Sequence, residues 1–201
     1  MADKKHTDYH HGDLKSEAIS RAAEMIEAEG YEKVSMRSLA KQIGVSQTAL
    51  YRHFNDKSEL MAAVAEIGFG RLFAYLDKND QQQTATVTDR FKSLGVAYIL
   101  FALENPTHYR LMFGGKIANH EAYPGLAEAA KSVFDVLVQA VEAGQIANEF
   151  RVGSAHALAS VAWAGVHGSA ELLLDGHLRS VSEPAAFATY STDIITAGIS
   201  K

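Results

Sequence analysis

Ser35-Met-Arg-Ser-Leu-Ala-Lys-Gln-Ile-Gly-Val-Ser-Gln-Thr-Ala-Leu-Tyr-Arg-His-Phe-Asn-Asp-Lys57 carries two helix starts separated by a glycine turn. Ser35 and Ser46 each precede a run with helical spacing, and a serine oxygen in that position accepts an orphan amide proton of the first turn. Gly44 enters the left-handed region without penalty, so one helix stops and the chain reverses within about four residues. Leu39, Ala40 and Ile43 form the inner face of the first helix, and Leu50 and Phe54 that of the second. Ala40 is small where the two helices cross, which suits the steep angle of a helix-turn-helix. Outward on the second helix stand Gln47, Thr48, Ala49, Tyr51, Arg52 and His53, groups able to meet base edges and phosphates. A plain helical hairpin with a polar face fits the same spacing.

The run Ser46-Gln-Thr-Ala-Leu-Tyr-Arg-His-Phe-Asn-Asp-Lys57, followed by Glu59 and Leu60, resembles the motif of TetR/AcrR-family transcriptional regulators, Val-Ser-x-x-x-Leu-Tyr-x-His-Phe-x-x-Lys-x-x-Leu. Tyr9-His-His-Gly-Asp-Leu14 and Gly30-Tyr-x-x-Val-Ser-Met-Arg37 fit the same family, and the similarity extends over residues 9–65. It implies that Tyr51, His53 and Lys57 hold phosphates while Gln47, Thr48 and Arg52 face bases, with Ser35, Arg37, Ser46 and Ala49 completing the DNA-binding surface. It also implies a homodimer on a near-palindromic double-stranded operator, a repressor released by a small, mostly apolar effector, and a cytoplasmic location.

The chain has 201 residues, 47% of them hydrophobic, enough to bury a core without covalent staples. It has no cysteine, which excludes disulfides, thiolate nucleophiles and cysteine-ligated zinc and fits a reducing compartment. The charged opening Met-Ala-Asp-Lys-Lys-His does not read as a secretory signal. Residues 152–170 lack Asp, Glu, Lys and Arg, but they are mostly Ala, Gly, Ser and His and gain too little from hydrocarbon to read as a membrane helix. The net charge of −5 runs against the basic-domain criterion for nucleic-acid binding. Position outweighs the sum: Glu24, Glu27, Glu29 and Glu32 crowd the end of the first helix, whereas Arg37, Lys41, Arg52 and Lys57 flank the reading surface.

No alternating strand pattern occurs, so the expected fold is all-α. A polar arm over 1–12, with Lys4, Lys5, His6, His10 and His11, precedes a helix from Asp13 to Glu29 whose stripe is Leu14, Ala18, Ala22 and Ile26. Asp56 caps a fourth helix that runs to about Asp77. The expected domains are a helix-turn-helix head over 1–60, a connecting helix and loop over 61–83, and a ligand-binding and dimerisation domain over 84–201. Within the last, Pro106, Pro124 and Pro184 mark helix starts, and helices are expected at 86–104, 106–113, 121–146, 153–176 and 183–199.

Trp163-Ala-Gly-Val-His167-Gly168 resembles the Trp-x-x-x-His-Gly motif of one class of C-terminal ligand domain in TetR-like proteins. Tyr98, Phe101, His108, Met112, Phe113, Phe134, Trp163 and His167 are the expected pocket residues, with Tyr109 among the aromatic residues before them. Met and aromatic residues at helical spacing equally describe a plain core, and His167 reads either as a ligand contact or as a structural histidine beside Trp163. Ala157, Val161, Ala164, Gly168 and Leu172 form a small-residue seam. In the family the last two long helices build the dimer, which adds Phe187, Tyr190, Ile194 and Ile195. The seam packing inside one subunit is the other reading.

An enzyme built on His156, His167 and Glu171 lacks a nucleophile, a phosphate-binding glycine loop and a full metal shell. No catalytic residue, metal or cofactor is therefore expected. A helical interaction module leaves Arg37, Tyr51 and Lys57 without purpose.

Overall fold

The caps read from the sequence set the first helices. The structure is a computed structural model that describes residues 14–80, 86–117, 119–178, 181 and 183–201, so the arm over 1–12 lies outside it. Helix α1 (Leu14–Glu29) buries Leu14, Ala18, Ala22 and Ile26. It stops at Gly30, at φ 86°, whose amide donates a hydrogen bond back to the Ile26 carbonyl. A short 3-10 turn, Tyr31–Lys33, leads to α2 (Met36–Ile43). Ser35 Oγ accepts from the Ser38 amide at 3.0 Å, and the Ser35 amide donates to Ser38 Oγ at 2.9 Å. This is a reciprocal capping box in which serine replaces the usual Glu or Gln.

Gly44 ends α2 at φ 80°, ψ 26°. Ser46 Oγ then accepts from the Ala49 amide and opens α3 (Gln47–Tyr51). Helix α3 is shorter than the sequence pattern predicts. The His53 and Phe54 amides both turn back to the Leu50 carbonyl, so Arg52 and His53 sit in a tightened closing turn. Asp56 Oδ1 caps α4 (Lys57–Asp80) through the Glu59 amide, and the Glu59 carboxylate reaches back to the Asn55 amide. Leu39, Leu50, Phe54, Leu60 and Met61 are fully buried in the head.

The chain divides into two compact units at Val64/Ala65, inside α4. Glycine and proline punctuation shapes the second unit. It holds the later turns of α4, then α5 (Val87–Glu104), α6 (Pro106–Phe113), a 3-10 turn at His120–Ala122, α7 (Pro124–Ile146), α8 (Ala155–Leu174) and α9 (Pro184–Ile199). Among the described residues there is no strand, only an isolated antiparallel bridge between Phe150 and Ser200.

Helix α8 packs against α5, α7 and α9, and α5 also packs against α7 and α9. Close approach depends on bare backbone at two places. A Cβ at Gly95 of α5 would meet Thr192 Cγ2 at 2.7 Å, and one at Gly165 of α8 would meet Ile195 Cδ1 at 2.7 Å. Helix α8 is by length and composition long and apolar enough to cross a membrane. Only Ala159, Ala162, Val166 and Ala170 of this helix are buried, so most of its apolar surface is left uncovered within the subunit.

Candidate functional site

In the head, Gln47, Thr48, Tyr51, Arg52 and Arg37 are exposed, and Ala49 and His53 are half-buried. Tyr51 is 47% exposed, high for a large aromatic residue, and its Oη takes a long hydrogen bond from Gln47 Nε2 at 3.4 Å. The side chains on one edge of α3 thus form a solvated row of donors and acceptors, while Leu50 on the opposite edge is buried. Ser35 and Ser46 are both exposed and both engaged as caps. Lys57 is half-buried; its Nζ donates to the Tyr31 carbonyl at 3.0 Å and lies 4.0 Å above the Tyr31 ring.

In the second unit, aromatic residues from α4, α5, α6, α7 and α8 enclose a cavity of about 330 Å³. Tyr98, Met112, Phe113, Phe134 and Trp163 line it. Phe69, Leu76, Phe91, Leu94, His120, Val133, Leu137, Ala162, Val166, Thr192 and Ile195 also line it, and these were absent from the expected pocket. Three expected residues do not line it. Phe101 is buried with its ring 5.7 Å from that of Tyr75, so its bulk packs into the α4–α5 contact. His108 is buried and its Nε2 stands 3.2 Å from the Arg71 guanidinium, which donates to it. His167 is drawn into a hydrogen-bond cluster behind the wall.

That cluster joins α5, α6 and α8. Trp163 Nε1 donates to Tyr98 Oη at 3.1 Å, and Tyr98 and Tyr109 place their hydroxyls 3.2 Å apart. Tyr98 Oη lies 3.0 Å and Tyr109 Oη 2.6 Å from His167 Nδ1. Burial pushes the Tyr98 phenol up to about 12 and the Tyr109 phenol higher still, so both keep their protons at neutral pH. Burial also holds His167 below the ordinary imidazole range, against the opposing pull of the Glu171 charge. Among the described residues no buried side-chain nitrogen or oxygen lacks a hydrogen bond, so this polar cluster is satisfied.

On α8, Ala157, Val161, Ala164 and Leu172 are exposed, and Gly168 has open space where a side chain would stand. On α9, Tyr190 and Ile194 are exposed and Phe187 is half-buried. The seam therefore does not pack inside the subunit: Val161 is 68% and Tyr190 65% exposed. Ile195, expected on the same face, instead turns inward to line the cavity against Gly165. The rings of His156 and Phe134 pack at 5.0 Å, and no group of three metal-ligating side chains occurs among the described residues.

An exposed helix-turn-helix head followed by a helical domain around an aromatic cavity is the architecture of a DNA-binding transcriptional regulator. Residues 91–195 match the tetracycline repressor-like C-terminal domain, and residues 18–64 match the tetR family of bacterial regulatory proteins. The chain belongs to the TetR family of transcriptional regulators, which are not enzymes.

A solved structure of a protein of unknown function from Rhodococcus sp. RHA1 is 34% identical, with a TM-score of 0.85 over 97% of this chain and 100% of that one. A TetR-family regulatory protein from Rhodococcus RHA1 shares the fold at 21% identity, TM-score 0.70, covering 92% of this chain and 96% of that one. The nucleoid occlusion factor SlmA of Marinomonas sp. is 28% identical over 106 residues, 53% of each chain, so the chain spans about half the length of that curated relative.

Proposed function

We propose that this regulator is a homodimeric repressor, bound to a near-palindromic operator through the surface of α3 and released when a small, mostly apolar effector fills the cavity. The observation that carries the reading is the aromatic cavity itself: α4 begins with Lys57 in the head, and its later residues Phe69 and Leu76 form part of the cavity wall. Occupancy that moves this helix changes the separation of the two heads, and a dimer fitted to one half-site spacing then no longer fits both. A coupling of about 1–3 kcal/mol is enough, because it alters operator affinity roughly 5–150-fold.

The dimer is supported by the exposed seam of α8 and α9, since a two-fold contact needs a surface that can face its own copy. Gln47, Thr48 and Arg52 are assigned to bases, and Tyr51, His53 and Lys57 to phosphates.

Gel-shift titration on DNA upstream of the protein's own gene tests the reading. A compound that raises the melting temperature of the free protein should also release the DNA, and filling the cavity by substitution should abolish both effects. A stabilising ligand that leaves DNA affinity unchanged overturns the effector role.

A further inference from the structure

The chemistry of the cavity wall restricts what can occupy it. Among the described lining residues none is Asp, Glu, Lys or Arg. An ionised ligand would lose its hydration there without a counter-charge, and burying an unpaired charge is strongly unfavourable. The wall does offer rings: Phe113 and Phe134 flank Trp163 with centroids at 6.2 and 6.0 Å, inclined at 51° and 69°. Rings inclined in this way, one pair tilted and one edge-on, suit a flat aromatic guest. The volume of about 330 Å³ lies at the low end for small-molecule sites, room for one or two rings.

The protons of the wall narrow the choice further. Trp163 Nε1–H is given to Tyr98 Oη. A phenol is a stronger acid than a neutral imidazole N–H, so across the 2.6 Å contact Tyr109 donates and His167 Nδ1 accepts. With the one lone pair of His167 Nδ1 taken, Tyr98 directs its own proton to Tyr109 Oη at 3.2 Å. Thr192 Oγ1 donates to the Ala188 carbonyl at 2.7 Å. The three wall groups Trp163, Tyr98 and Thr192 have thus spent their protons inside the protein, and Tyr98 and Thr192 retain oxygen lone pairs. The His120 ring can donate or accept according to its tautomer and favours neither.

Resting on the effector reading above, we infer that the occupant is an uncharged phenol or aromatic alcohol of one or two rings, whose hydroxyl donates a hydrogen bond to the wall. At Tyr98 and Thr192 an ether or ketone of the same shape meets acceptors with an acceptor. A carboxylate meets no cation, and a quaternary ammonium meets rings but no carboxylate.

The test is calorimetric titration of the full chain at pH 7.5 with four shape-matched probes: 2-naphthol, 2-methoxynaphthalene, 2-naphthoate and (2-naphthyl)trimethylammonium. The expected result is 2-naphthol tighter than each of the others by at least ten-fold, with its binding lost in Ala130→Trp and Leu137→Trp, two half-buried wall positions. Two variants guard against misfolding of either, checked by circular dichroism. Methoxynaphthalene binding as tightly as naphthol overturns the donor rule, and naphthoate or the ammonium binding tightest overturns the uncharged class. Binding by none of the four, or naphthol binding that survives in a folded wall variant, also overturns the inference. Naphthol that binds as expected but leaves operator affinity unchanged upholds the ligand class and removes the effector reading alone.

Discussion

Lys57 Nζ donates to the Tyr31 carbonyl across 3.0 Å and rests 4.0 Å above the ring of the same residue. The first residue of α4 is thereby fastened to the turn between α1 and α2, so the lysine assigned to phosphate also holds the head together. The two roles separate by substitution. Lys57→Met should cost about 1–2 kcal/mol in chemical denaturation, from a charge-assisted hydrogen bond and a cation–π contact, and should lower the salt slope of DNA binding by about one. Tyr31→Leu should cost less and leave the slope alone, because the carbonyl and the amine both remain. An unchanged slope in Lys57→Met would reduce the amine to a structural part.

Gln47 stands exposed on the first turn of α3, one turn before Tyr51. Its amide is suited to a base edge, since Gln pairs with adenine through a donor and an acceptor together. In a selection from randomised DNA, Gln47→Ala should relax or shift the preferred base at one position per half-site while overall phosphate-driven affinity persists. A retained consensus would remove Gln47 from base reading.

Ala164 lies exposed in the middle of the α8 seam. Replacement by Phe would overpack a helix contact across the proposed two-fold by roughly 1–3 kcal/mol. Sedimentation should move toward monomer at micromolar concentration with helicity intact. A dimer of unchanged affinity would place the interface on another face.

Burial holds the His167 imidazole below its ordinary range, so the unfolded chain takes up its proton at a higher pH than the folded one. The stability this neutral histidine allows is complete above the unfolded value, about 6.5, and is lost as pH falls through the window below it. The melting temperature should therefore drop between pH 7 and 5, and His167→Gln should flatten that part of the profile. Parallel curves for the two proteins would show that His167 titrates alike in both states.

Helix limits were legible because single residues decide them. Ser35, Gly44 and Ser46 bracket α2 and α3, and Pro106, Pro124 and Pro184 open α6, α7 and α9. Which apolar residues face the cavity was not legible on α5, because Phe91, Tyr98 and Phe101 are all buried and periodicity does not tell a cavity wall from solid packing. Phe101 accordingly stands outside the wall. The missed wall had one faint sign, a bare Gly95 in mid-helix and a threonine, Thr192, on the inner stripe of α9, which meet each other in the structure. The Tyr98, Tyr109 and His167 cluster joins residues up to 69 positions apart and had no local sign.

The glycine contacts give the cavity walls of unequal stiffness. On one side Gly95 abuts Thr192 and Gly165 abuts Ile195, β-branched side chains with little rotameric freedom, and Ser169 and Ser191 bridge α8 to α9 at 2.8 Å. On the other side, Gly68 of α4 abuts the thioether of Met112, the most pliable side chain a core can use. In the proposed effector role, a guest pressing outward would meet an anvil at α5, α8 and α9 and a cushion at α4 and α6, and α4 is the helix whose first residue is Lys57.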